Sequence, residues 1–229
     1  SDGNLRFQIE TGGDISESSG IVDTENGVVR FYGRAVRDSH HGGYGKISAA
    51  RAFEVSSNTA FTKMISEGYK NNPGKFVDRL DDMGGTRKIG LEIKGEGTPR
   101  IPHPDDKGWN GLSLPWMAFG YGVAVTPLQT LTFYNAIAND GEMVKPRFIK
   151  EVKEWDKTIV KMEREVMNPA ICSPETAKKV REMMKNTVKR GTAANIYTPN
   201  FSMAGKTGTC QTEYWIEPGR YIASFAGYF

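Results

Sequence analysis

Ala204-Gly205-Lys206-Thr207-Gly208-Thr209-Cys210-Gln211, followed at once by an aromatic and β-branched run, is the stretch on which the reading of this chain turns. A lysine with two hydroxyl neighbours and a glycine between them suits a carboxylate. The ammonium supplies charge, the hydroxyls donate hydrogen bonds, and Gly208 lets a ligand backbone approach closely. Gly205-Lys206-Thr207 also ends like the phosphate loop of nucleotide-binding enzymes, but that reading fails on context. The first glycine of the loop pattern would fall at Asn200, and a helix should open at the Lys-Thr pair to meet the phosphates. Thr209 to Trp215 has strand composition instead, so the stretch reads as an anion-binding strand edge.

Working outward, the segment from Phe201 to Thr212 and the run from Tyr221 to Phe229 form two strands, with a turn near Glu217-Pro218-Gly219. Before them, Ser173-Pro174-Glu175 opens a capped helix whose buried stripe is Val180, Met183, Met184 and Val188, stopped at Lys189-Arg190-Gly191. Residues 144–166 alternate β-branched and charged side chains and predict an exposed two-stranded hairpin. Thr126 as N-cap with Pro127 after it starts a helix that runs to about Asn139. The proline-rich span from Gly90 to Trp116 reads as loop, and Pro73 to Met83 as a helix stopped by Gly84-Gly85.

Earlier still, Ile47, Ala50, Phe53, Ala49 and Ala52 give a helical stripe starting at Lys46. It breaks at Ser56-Ser57-Asn58, residue types that compete for backbone hydrogen bonds and favour caps. A second stripe, Phe61, Met64 and Ile65, then runs to Gly68. Ser56 to Asn58 therefore sits at a helix-to-helix junction, where polar side chains can enter a cleft. Residues 1–20 read as a linker-like or vector-derived segment around one short alternating piece, Leu5 to Ile9.

The chain has 229 residues, 38% hydrophobic and 25% charged, enough for a sizeable core in one large domain or two small ones. A net charge of +3 with basic residues scattered among acids argues against a nucleic-acid partner. No run approaches the roughly 20 apolar residues of a membrane span. Two cysteines and three histidines, two of them at His40-His41 in a glycine-rich loop, show no metal-ligand spacing, so neither metal nor cofactor is expected.

The combination of helices first, a Ser-x-Asn triplet at an interhelical break and a late strand hairpin carrying Lys-Thr-Gly resembles the transpeptidase domain of the penicillin-binding proteins. These are serine acyl-transferases that share their fold with the serine β-lactamases. The resemblance covers residues 21–229. Ser56-Ser57-Asn58 looks like the family's second motif and Lys206-Thr207-Gly208 like its third. Gly120-Tyr121-Gly122, Thr126-Pro127-Leu128-Gln129 and Ala138-Asn139-Asp140-Gly141 are similar to the stretch between those motifs in the monofunctional, class B members. The Val28 to Gly33 run and the long 84–118 loop are most like the cell-division and elongation transpeptidases.

The resemblance implies an α/β (α+β) fold, an antiparallel sheet packed with helices and lacking parts of the family fold. It implies cross-linking of peptidoglycan stem peptides ending in D-Ala-D-Ala through an acyl-serine, with inhibition by β-lactams. Carried over by motif, Ser56 passes a proton to the leaving amine, Asn58 bonds the substrate amide, and Lys206 lowers the proton affinity of Ser56. Thr207, Gly208 and Thr209 form the substrate-binding strand, both threonines holding the terminal carboxylate and the Thr209 N–H serving as an oxyanion donor. Location in the periplasm on a bacterial inner-membrane anchor outside this chain follows, with other cell-wall synthesis proteins as partners.

One departure is large: the family's first motif, Ser-x-x-Lys, is missing, since no lysine here has a serine three residues before it. Thr158-Ile159-Val160-Lys161 is nearest in type but falls in the hairpin. The chain also stops where the family needs another strand and a terminal helix. A fragment of an active enzyme is the expectation, inactive by itself, with a silent module that binds stem peptides or a cell-wall-assembly partner as the alternative. Cys210 is expected buried and unreactive, and not bonded to Cys172.

Overall fold

The computed structural model describes residues 20–211 and 220–229. The expected strand at Leu5 to Ile9 and the turn at Glu217-Pro218-Gly219 lie outside the described residues. Three short strands open the described part, β1 (Ile21–Asp23), β2 (Val28–Phe31) and β3 (Arg34–Arg37), followed by β4 (Lys46–Ser48). Helices α1 (Ala49–Glu54), α2 (Asn58–Tyr69), α3 (Pro73–Asp82), α4 (Ser113–Met117) and α5 (Pro127–Ala138) come next. Strands β5 (Met143–Val144), β6 (Glu151–Glu154), β7 (Lys157–Lys161) and β8 (Val166–Asn168) lead to the long α6 (Pro174–Arg190), then β9 (Ala204–Gln211) and β10 (Tyr221–Tyr228). The described strands pair antiparallel as β1–β4, β2–β3, β5–β8, β6–β7 and β9–β10.

Lys46 to Ser48 is the first correction: it is a strand, and the helix begins three residues later. Ile47 stands opposite Val22 across the β1–β4 ladder, and the Ser48 hydroxyl accepts the Arg51 N–H as N-cap. Pairing with a remote strand overrides a helical stripe that only its Ala-rich half can satisfy. The short α4 (Ser113–Met117) also corrects the expectation, starting inside the proline-rich span read as loop, while the starts of α5 and α6 read as expected. Thr126 and Gln129 exchange side-chain bonds in a capping box at the start of α5, and Ser173 caps α6.

The principal core joins α5 (Ala136, Ile137), β5 (Met143), Ile171, α6 (Met184) and β9 (Ala204), with Phe53 and Tyr228 packed on its flank. A second cluster, Val22, Ala52, Ala60 and Met64, lies where α1 and α2 meet β1. Each buried Val, Ile or Met side chain in them contributes about 1.5–3 kcal/mol, and each alanine methyl less. The α1–α2 junction sits between these two clusters, and β9 borders the first. That placement lets residues far apart in sequence share one site.

Candidate functional site

The α1–α2 junction is a Schellman turn with serine where glycine is the rule. Ser57 N–H donates to the Ala52 carbonyl at 2.9 Å and Ser56 N–H to that of Phe53 at 3.2 Å. Ser56 occupies the left-handed position with φ 55°. A non-glycine residue there costs about 1–2 kcal/mol, so the surroundings must hold it. They do so through Ser57, which ends one helix turn and caps the next, accepting the Ala60 N–H at 3.1 Å. Its hydroxyl donates to the Asp38 carboxylate at 3.1 Å, which also accepts from Thr59 N–H at 2.9 Å and the Thr59 hydroxyl at 2.7 Å. Ser57 is therefore buried beneath the turn while Ser56 stays partly open above it.

Across the cleft, β9 supplies Lys206, whose Nζ donates to Ser56 Oγ at 2.8 Å over a sequence gap of 150 residues. Nζ also donates to the Thr207 carbonyl at 3.1 Å and lies 5.7 Å from the centre of the Phe53 ring. Burial pulls its pKa down from 10.5 to about 8. A lysine so tuned stays mostly charged at neutral pH, beside an oxygen whose proton affinity that charge lowers. It also exchanges protons close to working pH, as acid–base chemistry requires.

In an antiparallel pair, alternate residues aim their backbone N–H and C=O at the partner and those between aim them away. Gln211 N–H donates to the Tyr121 hydroxyl at 3.2 Å, and the Thr207 carbonyl takes Lys206 Nζ. Residues 207, 209 and 211 thus present their backbone groups to the edge of β9 away from β10, and Thr209 lies midway along that edge. The β9–β10 register runs unbroken from Ala204↔Tyr228 to Gln211↔Tyr221, without a bulge. Lys206 joins the threonine edge by reaching round the strand. The Thr207 hydroxyl is hydrogen-bonded to that of Thr192, and Gly208 stands opposite Ser224, where a Cβ would lie 2.6 Å from Ser224 Oγ.

Of the residues expected from sequence, Ser56, Lys206 and Thr207 are brought into one network, with Gly208 and Thr209 next along the same strand. Asn58 stands apart: its Nδ2 donates to the Arg37 carbonyl at 2.9 Å, which leaves the amide oxygen for a ligand N–H. Cys210 corrects the expectation of burial. It is exposed, because burial falls along β9 from Ala204 outward instead of alternating between its faces. Both cysteines are free thiols, as expected, and burial raises the pKa of Cys172.

Asp38, Glu54, Tyr121 and Thr192 were not singled out by sequence reasoning. Tyr121 lay in the quoted Gly120-Tyr121-Gly122 without a role, and Glu54 left a signal of its own, because an acidic residue at a helix C-terminus opposes the helix dipole and calls for a partner. Among the described residues no group of three His, Cys, Asp or Glu side chains is placed to hold a metal ion, and no helix is long and apolar enough to cross a membrane.

Comparison with known proteins gives a match of residues 19–229 to the penicillin binding protein transpeptidase domain. Penicillin-binding protein PbpB of Mycolicibacterium smegmatis is 31% identical over 192 residues, covering 81% of this chain and 29% of that protein. Stage V sporulation protein D of Bacillus subtilis is 28% identical over 210 residues, covering 89% and 31% respectively. Penicillin binding protein 3 of Mycobacterium tuberculosis, in its crystal structure with aztreonam, superposes with a TM-score of 0.75 at 28% identity, covering 98% of this chain and 52% of that one. The chain spans about a third or less of these curated relatives' length.

Proposed function

This chain belongs to the family of penicillin-binding protein transpeptidase domains, and from that premise we propose that it is the transpeptidase portion of a class B peptidoglycan D,D-transpeptidase of the division or elongation type. The observation that carries the reading is the 2.8 Å contact of Lys206 Nζ with Ser56 Oγ, beside a β9 edge that no other described strand pairs and along which an extended peptide can lie. A stem peptide laid along β9 pairs with Thr209, whose N–H polarises the scissile D-Ala carbonyl. Its terminal carboxylate lies against the Thr207 and Thr209 hydroxyls near the Lys206 charge. Ser56 then hands a proton to the departing D-Ala amine, and Lys206 makes that hydroxyl the better acid.

The nucleophile of this reaction is a serine of a Ser-x-x-Lys motif, absent from the 229 residues. Incubation with a labelled penicillin and intact-mass measurement therefore leaves this chain unmodified, whereas the longer protein acquires one adduct. In that protein Ser56→Ala and Lys206→Ala each slow acylation about 10²–10⁴-fold. Acylation of the isolated chain places the nucleophile elsewhere, and a longer protein inert to every penicillin overturns the reading. The missing motif favours one second reading, a silent module that binds stem peptides or a cell-wall-assembly partner. A Ser-x-x-Lys upstream of Asp23 in the source gene rules it out. Residence in the periplasm on a membrane anchor, among other cell-wall synthesis proteins, goes with the first reading.

A further inference from the structure

The Ser56–Lys206 contact joins segments 150 residues apart, and neither motif contains what holds them at that spacing. Glu54 does. Its side chain is 1% exposed, and Arg190 donates to both carboxylate oxygens, Nε to Oε2 at 3.1 Å and Nη2 to Oε1 at 3.0 Å. Arg51 Nη1 donates to Oε2 at 2.9 Å and to the Arg190 carbonyl at 3.1 Å, tying the ends of α1 and α6 together. The Glu54 backbone carbonyl accepts the Thr192 N–H at 3.0 Å. Gly191 packs so closely that a Cβ there would stand 2.2 Å from that same oxygen.

Both ends of this clamp lead into the site. Two residues after Glu54 comes Ser56, and two after Arg190 comes Thr192, whose hydroxyl bonds that of Thr207. Helix energetics do not ask for a carboxylate at the C-terminus of α1, and a buried carboxylate is costly unless paired. We infer that Glu54 is a positioning residue, whose carboxylate and carbonyl together set the distance between the Ser56 turn and the Lys206–Thr207 segment. The use of that distance in acyl transfer rests on the transpeptidase reading; the clamp itself does not.

Lysine-selective NMR titration of Lys206 in this chain is the test, on the wild type, Glu54→Gln, Arg190→Lys and Val77→Ala, the last a buried α3 change outside the clamp. Glu54→Gln and Arg190→Lys are expected to raise the Lys206 midpoint from about 8 toward 10.5 as water reaches the loosened ammonium, with shifts in the Thr192 and Thr207 amide signals. Val77→Ala is expected to lower the unfolding midpoint and leave the Lys206 titration in place. A folded Glu54→Gln chain with unchanged Lys206 and Thr207 signals overturns the proposal. Where that variant does not fold, Arg190→Lys decides by the same readout, since it keeps the charge and loses the two-pronged geometry.

Adding N-acetyl-D-Ala-D-Ala to the same samples separates the two readings. Ligand shifts at Thr207 and Thr209 that need at least about tenfold more ligand in Glu54→Gln support the clamp as a setter of the binding geometry. No ligand shift in the wild type counts against the stem-peptide reading alone, with the clamp still decided by the lysine titration.

Discussion

The β9–β10 and β6–β7 pairs are both antiparallel, yet one borders the site and the other projects from the molecule. Ala204 and Gly205 of β9 are buried at the core that includes Met184 of α6, and the register with β10 holds for eight pairs. Every residue of β7 is exposed, the β6–β7 register shifts between Val152 and Lys153, and Trp155 at the turn is 94% exposed. An isolated two-stranded hairpin is marginal in water, and a layer packed on one face makes it rigid. The comparison teaches that a strand edge becomes a binding platform when another element fixes it in space. In β9 that fixing runs through α6, Gly191 and Thr192.

Breaking the fixed region has the largest effect. Gly191→Ala forces a Cβ against the Glu54 carbonyl and two Thr187 backbone atoms within 2.9 Å. A loss of about 3 kcal/mol or more in urea unfolding is expected, and a change under about 1 kcal/mol would show that the α1–α6 contact yields easily. Asp38→Ala comes next. It removes the acceptor of Ser57 and Thr59 under the Ser56 turn and is expected to cost about 2 kcal/mol. An unchanged unfolding midpoint would mean that the turn holds without the Asp38 carboxylate.

Lys206 sharpens the contrast through pH. Below about 8 it is protonated folded and unfolded alike, and between about 8 and 10.5 the unfolded chain keeps a proton that the folded one has released. Its contribution therefore makes stability rise with pH across that window. Burial raises the pKa of Cys172, Tyr134 and Tyr228, which gives the opposite sign in the alkaline range, so the difference between wild type and Lys206→Met is the quantity to measure. A difference that does not vary from pH 7.5 to 10 in urea midpoints, about the range of that titration, would remove burial as the cause.

On the projecting hairpin the expected effects are small. Trp155→Ala and Ile159→Ala should each stay within about 0.5 kcal/mol of wild type, and a larger loss of unfolding midpoint would reveal packing there. Thiol labelling of the native chain perturbs the fold least. Cys210 is expected to react well before Cys172, whose raised pKa leaves less thiolate. The reverse order would contradict the burial gradient along β9.

Some of the site was legible because its chemistry is local. Ser56 to Asn58 announce a helix break by their competition for backbone bonds, and Lys206 to Thr209 announce an anion-binding strand. Thr126-Pro127 and Ser173-Pro174 start helices for reasons contained in four residues. Lys46 to Ser48 misread as helix because β1, more than 20 residues earlier, claims its backbone. Asn58 was read toward substrate, and what the sequence did not show is that the Arg37 carbonyl of β3 anchors its amide nitrogen. Cys210 misread as buried because strand alternation presumes a covering layer along the whole strand.

By itself, then, the sequence determined which residues could act: a serine at a helix junction, a lysine between hydroxyls on a strand, and turns and caps that divide the chain into helices and hairpins. Tertiary structure decided that Lys206 meets Ser56, that burial tunes it to about 8, that Thr209 lies on the β9 edge away from β10, and that Glu54 joins α1 to α6. Capping and alternation depend on neighbours a few residues away, whereas desolvation and register depend on groups up to 150 residues distant that only folding brings near.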